Sequence, residues 1–214
     1  ITADNQTKVY GDPFVFTGTE FTTGAGQLVN GDTVASVTLT STGTPITALA
    51  SPPTHPIVPS AATGTGLSNY AITYVNGAMT VTKPNLTMTS DGQTKVYGDV
   101  FPNANFTGSI VGLKAGDVIT ATYSSAGEPA NANVGSYPIP IALNDPGGRL
   151  ANYTLIQNVG NLTVVRRDLT VVADDLSKVY GAPITLTGTV TGVQAGDNIT
   201  FTYSSPGTAL TAPV

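Results

Sequence analysis

The sequence has 214 residues, with 24 Gly, 15 Pro and no Cys or Trp, and its formal net charge is −5. It offers no basic stripe to neutralise phosphates and no apolar run near the roughly 20 residues that span a bilayer, so nucleic-acid binding and membrane insertion are not expected. The absence of Cys excludes disulfides and thiolate metal sites. Abundant Thr, Val and Ile, together with Gly and Pro, predict a chain of strands and turns.

A five-residue motif marks the end of an early predicted strand and returns twice. It stands in the chain as KVYGD (8–12), KVYGD (95–99) and KVYGA (178–182). One hypothesis makes Asp12 and Asp99 metal ligands or catalytic acids. In the other hypothesis a strand ends at Val-Tyr, the Gly adopts a positive φ in a turn, and the Asp side chain hydrogen-bonds the backbone of that turn. Because Ala182 replaces the acid in the third copy, the pattern favours a structural turn over an active site.

Further strands are predicted from period-two patterns. VITATYS (118–124) and NITFTYS (198–204) alternate apolar residues with Thr, which is typical of a strand with one buried face. YAITYVNGAMTV (70–81) predicts two strands around a type I′ hairpin at Asn76-Gly77, and YTLIQNVGNLTV (153–164) is its counterpart. About seven short strands per repeat predict an all-β, Ig-like antiparallel β-sandwich. These patterns do not set strand order, so a β-grasp-like repeat is the alternative.

The matching segments define a tandem organisation. We expect a first repeat at 1–84, a second at 85–168 and the first half of a third at 169–214. Only short links, with a Pro or a charged pair, separate the copies, which predicts a rod of domains rather than freely tumbling ones. The third copy stops about halfway. Either the domain continues beyond residue 214, which we favour, or a neighbouring chain completes it by strand addition.

The second repeat carries the whole of a longer pattern. Its parts are Lys95-Val96-Tyr97-Gly98-Asp99, Pro102, Gly116-Asp117, Val134-Gly135-Ser136-Tyr137, Asn152-Tyr153 and Gly160-Asn161-Leu162-Thr163-Val164. This combination resembles the MBG family of mostly bacterial Ig-like repeats, and the resemblance covers essentially the whole chain. It implies Ig-like domains from the long tandem arrays of exported bacterial surface proteins, often called adhesins. The first copy departs from the pattern with His55 at the place of Tyr137, and the third departs at Ala182.

Calcium is the main alternative to a purely structural role for the acidic residues. An aspartate follows Gly in the same loop of each copy, namely Asp32, Asp117 and Asp197. Other aspartates lie near the link between the second and third repeats, namely Asp168, Asp174 and Asp175. Calcium prefers six to eight oxygens from several carboxylates, and the sequence has no D-x-D-x-D run. We therefore expect solvated turn acids and no cofactor, with calcium as the alternative.

Other chemistry is poorly represented. The single His55 and the absence of a G-x-S-x-G motif predict no enzyme. A Lys–Asn isopeptide crosslink could be drawn from Lys95, Asn161 and Glu128, but Ala78 occupies the Asn161 place in the first copy.

These observations favour a structural stalk or spacer in a large bacterial cell-surface or secreted, adhesin-like protein. The expected partners are neighbouring repeats of the same chain, and the expected location is extracellular. The alternative is an adhesive module that binds glycans or host proteins, supported by calcium.

Overall fold

A computed structural model describes residues 1–114 and 116–212 of the protein. The chain is built of short strands, so the prediction of an all-β tandem repeat is confirmed. The strands are β1 (Thr2–Ala3), β2 (Gln6–Val9), β3 (Phe21–Thr22), β4 (Thr33–Ser41), β5 (Thr54–Thr65), β6 (Gly77–Thr82), β7 (Asn85–Ser90), β8 (Gln93–Val96), β9 (Gly108–Val111), β10 (Thr120–Tyr123), β11 (Gly135–Pro138), β12 (Ile141–Asn144), β13 (Thr154–Asn158), β14 (Asn161–Val165), β15 (Thr170–Ala173) and β16 (Gly188–Thr191).

Helical structure is confined, in the described residues, to four 3-10 turns of three residues each. These are Leu67–Asn69, Asn103–Asn105, Leu150–Asn152 and Pro206–Thr208. The described part of the chain thus offers no α-helix against which a grasp-like sheet could pack.

The chain forms two compact units that do not follow the sequence repeats. The first unit contains Ile1–Thr89, Gly108–Thr122 and Ile141–Asn158, and the second contains Ser90–Thr107, Tyr123–Pro140 and Val159–Val214. Each unit therefore combines parts of neighbouring repeats, and each is described by itself.

The first unit is organised around a four-stranded sheet in the order β2-β6-β5-β4. The other strands belong to the sheets β1-β3, β13-β7-β9 and β10-β12. One continuous core serves these strands, because alternate residues along them are apolar and point inward. Ile57, Met79, Leu86 and Met88 are fully buried in it. Burial of each such side chain stabilises the fold by roughly 1.5–3 kcal/mol.

The second unit contains the sheets β11-β14-β8 and β15-β16. Its smaller core consists of Phe106, Ile139 and Leu162, with Phe101 and Tyr123 packed against them.

The predicted hairpin at Asn76-Gly77 is wrong. β6 begins at Gly77 itself and pairs with β5 and β2, whereas Val75, just before the dipeptide, bridges Thr2 in parallel. The residues with positive φ in the described chain include neither Asn76 nor Gly77. Gly77 serves a close approach instead, because a Cβ there would collide with the carbonyl oxygen of Ala3.

The second repeat shows the same correction. β13 pairs with β7, and β14 pairs with β8 and β11, so the two predicted hairpin strands lie in different sheets. A Cβ on Gly160, between them, would collide with the carbonyl oxygen of Ser90.

The strand pairing is not purely antiparallel, contrary to expectation. β2 with β6, β7 with β13 and β8 with β14 are parallel pairs. They arise because the first strand of a repeat breaks into two short pieces, and each piece runs in the same direction as a late strand of the repeat.

Candidate functional site: the joint between repeats

The lysine of the KVYGD motif is a buried structural cation. Lys8 lies in β2 and is only 6% exposed. Its ammonium donates to the backbone oxygens of Asp12 at 3.0 Å and Thr44 at 3.1 Å, and also to that of Pro45. Burial lowers the pKa of Lys8, and the Asp12 charge partly offsets this. The three carbonyls replace the water that the ammonium loses, so the lysine fastens the loop at 44–45 to the turn.

The other copies repeat this contact. Lys95 is also 6% exposed, and its ammonium donates to the backbone oxygens of Asp99 at 2.9 Å and Glu128 at 3.0 Å, and to that of Pro129. Lys178 donates to the backbone oxygen of Ala209 at 2.5 Å.

The glycine of the motif makes the predicted turn. Its φ is 82° at Gly11, 90° at Gly98 and 78° at Gly181, a conformation that favours Gly. The predicted role of the acid is wrong, however. The Asp12 carboxylate accepts from the Lys114 ammonium at 2.8 Å instead of closing its own turn. Asp99 pairs in the same way with Arg167.

The tyrosine of the motif reaches into the next repeat. The Tyr10 hydroxyl donates to both carboxylate oxygens of Asp117, at 3.1 and 3.0 Å. Tyr153 donates to the same carboxylate at 2.5 Å, and the two tyrosine rings pack edge to face with centroids 5.5 Å apart. Tyr10 is 3% exposed, Tyr153 is 5% exposed and the Asp117 side chain is 8% exposed. One buried carboxylate thus holds a tyrosine from each of two repeats.

The electrostatics of this cluster keep both phenols protonated. Burial raises the pKa of Tyr10 and of Tyr153, and the hydrogen bond to the Asp117 carboxylate raises both further. An ionised phenol would face the carboxylate, which is unfavourable in a buried site. The contacts are therefore charge-assisted hydrogen bonds, which are roughly twice as strong as neutral ones.

Two further contacts surround the cluster. The amide of Ala50 donates to Oδ1 of Asn152 at 2.9 Å, and Asn152 is 2% exposed. The amide of Lys114 donates to the Tyr153 hydroxyl at 3.0 Å. The Asn152-Tyr153 dipeptide therefore binds the first repeat with one side chain and orients Asp117 with the other.

The second unit contains a related joint. Tyr97 donates to Asp197 at 2.5 Å, and this bond, together with burial, raises the pKa of Tyr97. Arg167, in the link, donates from Nε to the backbone oxygen of Tyr97 at 2.6 Å. A Cβ on Gly98 would collide with the Gln194 side chain, so the corner and the following loop are in close contact. Two copies of the motif, those of the first and second repeats, therefore each contact the Gly-Asp loop of the repeat that follows.

Four of the six acids considered for calcium accept hydrogen bonds from protein side chains. Asp32 accepts from Tyr70 at 2.9 Å, and Asp117 and Asp197 accept from the tyrosines named above. Asp174 accepts from the Thr187 hydroxyl at 2.6 Å. The residues that the structure describes contain no group of three or more His, Asp or Glu arranged to hold a metal ion.

The remaining candidate residues are dispersed. His55 contacts the Thr42 hydroxyl at 3.1 Å and the Leu49 carbonyl at 3.0 Å. The hypothesis of an isopeptide bond is not supported, because Asn161 is exposed and the strand partner of Lys95 is Val164. The recurrence of Tyr and Gly-Asp in every copy signals the joint in the sequence, but nothing there shows that the two meet across repeats.

Comparison with known families gives one match. The model of the MBG domain (YGX type) matches three times, at residues 1–80, 86–163 and 169–213. The three matches cover nearly the whole chain. No curated protein and no solved structure matches the chain significantly.

Proposed function

The chain belongs to the MBG domain family (YGX type), and on that premise we propose that it is a spacer segment in which each repeat fixes the position of the next. MBG repeats are structural domains typical of bacterial surface and adhesin-type proteins. The spacer would hold other parts of such a protein at a set distance from the cell. No helix among the described residues is long and apolar enough to cross a membrane.

The observation that carries the proposal is the buried Tyr10–Asp117–Tyr153 cluster. A flexible tether needs only a solvated link, and burying a carboxylate and two phenols would bring it no advantage. A spacer needs a joint with one preferred geometry, and charge-assisted hydrogen bonds in a buried site supply direction as well as affinity. The proposal thus assigns the repeated motif a mechanical role.

Electron-spin distance measurements test this role within the first unit. The chain has no Cys, so Thr38→Cys and Thr120→Cys, at exposed strand positions, would carry the only two spin labels. We expect a single narrow distance distribution that broadens when Tyr10→Phe and Asp117→Asn are combined. Asp12→Asn is the matched control, because it removes only a half-exposed ion pair.

Two results would refute the role. A broad distribution in the otherwise unaltered chain would show that the joint is mobile. An unchanged narrow one in the double variant would show that the cluster does not set the geometry.

A further inference from the structure

His55 in the first repeat and Tyr137 in the second occupy the same place in the fold. His55 lies in β5 and is the register partner of Met79 in β6. Tyr137 lies in β11 and is the register partner of Leu162 in β14. Met79 and Leu162 are both fully buried. The departure of the first repeat from the family pattern therefore exchanges one planar ring for another beside the same core position.

Both rings hydrogen-bond the same backbone carbonyl of the loop before their strand. The Tyr137 hydroxyl donates to the oxygen of Asn133 at 2.8 Å, and Nε2 of His55 lies 3.0 Å from the oxygen of Leu49. Leu49 and Asn133 are equivalent, because each comes four residues after a proline whose carbonyl accepts from the motif lysine. A carbonyl oxygen can only accept, so Nε2 of His55 carries the proton, and Nδ1 accepts from the Thr42 hydroxyl at 3.1 Å.

The carbonyl held by His55 belongs to the peptide group that reaches the second repeat. The oxygen of Leu49 and the amide of Ala50 are parts of one planar trans unit, in which they point in opposite directions. The Ala50 amide donates to Oδ1 of Asn152 at 2.9 Å, and both of these residues are 2% exposed. A single rigid group therefore connects the imidazole of one repeat to the side-chain amide of the next.

The His55 contact fixes the direction of this peptide group. Lys8 holds the earlier part of the loop through the carbonyls at 44 and 45, and the 49–50 plane is still able to turn about the torsions on its two sides. The bond from the imidazole removes that freedom. It also polarises the peptide group, and successive hydrogen bonds in a chain strengthen one another by roughly 10–30%. The same contact thus makes the Ala50 amide a better placed and stronger donor to Asn152.

We propose that His55 is a positioning residue of the joint, which orients the 49–50 peptide so that the Ala50 amide meets Asn152. What the position requires is a ring that donates one hydrogen bond to the loop carbonyl, and an imidazole or a phenol supplies it. The inference extends the proposed spacer role and rests on it, because it adds a second fixed point to the joint held by Tyr10 and Asp117.

Two substitutions that differ by one oxygen atom test the proposal in the full chain. His55→Phe keeps a planar ring without a donor, and His55→Tyr returns the hydroxyl that the second repeat uses. Amide hydrogen exchange is followed by NMR at Ala50, with the Val37 amide, which donates to the Gly18 carbonyl at 2.9 Å, as the reference within the first repeat. Relative to Val37, we expect exchange at Ala50 to accelerate roughly fivefold or more in His55→Phe and to return to within about twofold in His55→Tyr.

The unaltered chain provides a test that needs no substitution. The ¹⁵N chemical shifts of the imidazole, recorded at about pH 8, above the ordinary titration range of imidazole, report which ring nitrogen carries the proton. We expect the proton on Nε2 and a bare Nδ1. The opposite tautomer would overturn the proposal, because a nitrogen without hydrogen cannot donate to the Leu49 carbonyl.

The exchange data distinguish positioning from general support of the fold. Equal acceleration at Ala50 and Val37 in His55→Phe would overturn the proposal, because the ring would then only stabilise the repeat. Unchanged exchange at Ala50 would overturn it too, because Asn152 alone would hold the peptide. If His55→Tyr failed to slow exchange again, the donated bond would not be the cause, and the proposal would fall.

The spin-label distances separate this proposal from the spacer role. A narrow distance distribution with unchanged exchange at Ala50 in His55→Phe would remove His55 from the joint and leave the spacer role standing. A broad distribution with selective acceleration at Ala50 would refute the spacer role and leave His55 as the residue that orients the 49–50 peptide.

Discussion

Replacing Tyr10 with Phe tests the joint directly, because the change removes one hydroxyl and leaves the ring in place. The edge-to-face contact with Tyr153 is retained and no cavity is created. The lost hydrogen bond joins a buried phenol to a carboxylate at 3.0 Å, and bonds to charged groups contribute about 1.5–3 kcal/mol. Because Tyr153 still donates to Asp117, the carboxylate keeps a partner. We therefore expect a loss of about 1.5–2 kcal/mol, at the lower end of that range.

A double-mutant cycle isolates the contact. The free energy of unfolding is measured by urea denaturation, followed through tyrosine fluorescence since the chain has no Trp, for Tyr10→Phe, Asp117→Asn and both together. Asp117→Asn alone should cost more than Tyr10→Phe, because it also weakens the Tyr153 bond. The coupling between the two sites should reach about 1–2 kcal/mol, within the range for residues in one hydrogen-bond network.

Hydrogen exchange at the Ala50 amide gives a local measurement of the same change. This amide bonds to Asn152 at 2.9 Å and should exchange faster in each variant. A coupling below about 0.5 kcal/mol, the usual error of additivity, would refute the assignment of Tyr10 as a joint residue.

Four other predictions, one with a control variant, test separate features. Asp12→Asn should lower the free energy of unfolding by less than about 1 kcal/mol, because its ion pair with Lys114 is half exposed and such pairs are weak. A larger loss would show that this ion pair is a main stabilising contact of the joint. Lys95→Met keeps the apolar stem but leaves three carbonyls without their donor, so we expect a loss of roughly 3 kcal/mol or more by denaturation, and a near-neutral result would contradict the buried-cation interpretation. Gly160→Ala places a Cβ against the Ser90 carbonyl oxygen and should destabilise the fold by roughly 2 kcal/mol or more. The control Gly148→Ala introduces a Cβ into open space, and because φ is positive at that residue it should still cost about 1 kcal/mol. Burial would raise the pKa of Glu20, but hydrogen bonds from Thr17 and Gly18 lower it to about 2. The ionised carboxylate therefore stabilises the fold above the unfolded pKa near 4.5, and this stabilisation is lost as the pH falls towards 2. Glu20→Gln should flatten the acid limb of the curve of unfolding free energy against pH.

The repeat, the strand content and the turn glycine were predictable because they depend on local chemistry. Gly11 has positive φ in a turn, and a KVYG motif shared by three copies indicates a backbone requirement rather than a catalytic one. The partner of Lys8 was not predictable in the same way. Its bonds are to backbone carbonyls at 44 and 45, and carbonyl direction leaves no mark on the sequence.

The error at Asn76-Gly77 has a physical cause. The dipeptide is a strong local signal for a two-residue hairpin, and period-two strands flank it on both sides. Tertiary pairing overrode that signal, because β6 gains two neighbours, β2 and β5, in the four-stranded sheet. A hairpin would have given it one. The close approach of Gly77 to Ala3 explains why this position needs a glycine even though the chain does not turn there.

The direction of the joint explains why one motif can serve every repeat. Each copy carries a donor, the tyrosine of the Tyr-Gly corner, and an acceptor, the aspartate after Gly in a separate loop. Tyr10 meets Asp117 and Tyr97 meets Asp197, so the contact is heterologous and always runs from one repeat to the next. A heterologous contact that does not close leaves one donor and one acceptor unused however many copies are added. Among the residues that the structure describes, Tyr180 is 64% exposed and the Asp32 carboxylate accepts a hydrogen bond from Tyr70 of its own repeat alone. A mutation in a donor should therefore weaken only the joint that follows it, whereas a mutation in an acceptor should weaken the joint before it and the packing of its own repeat.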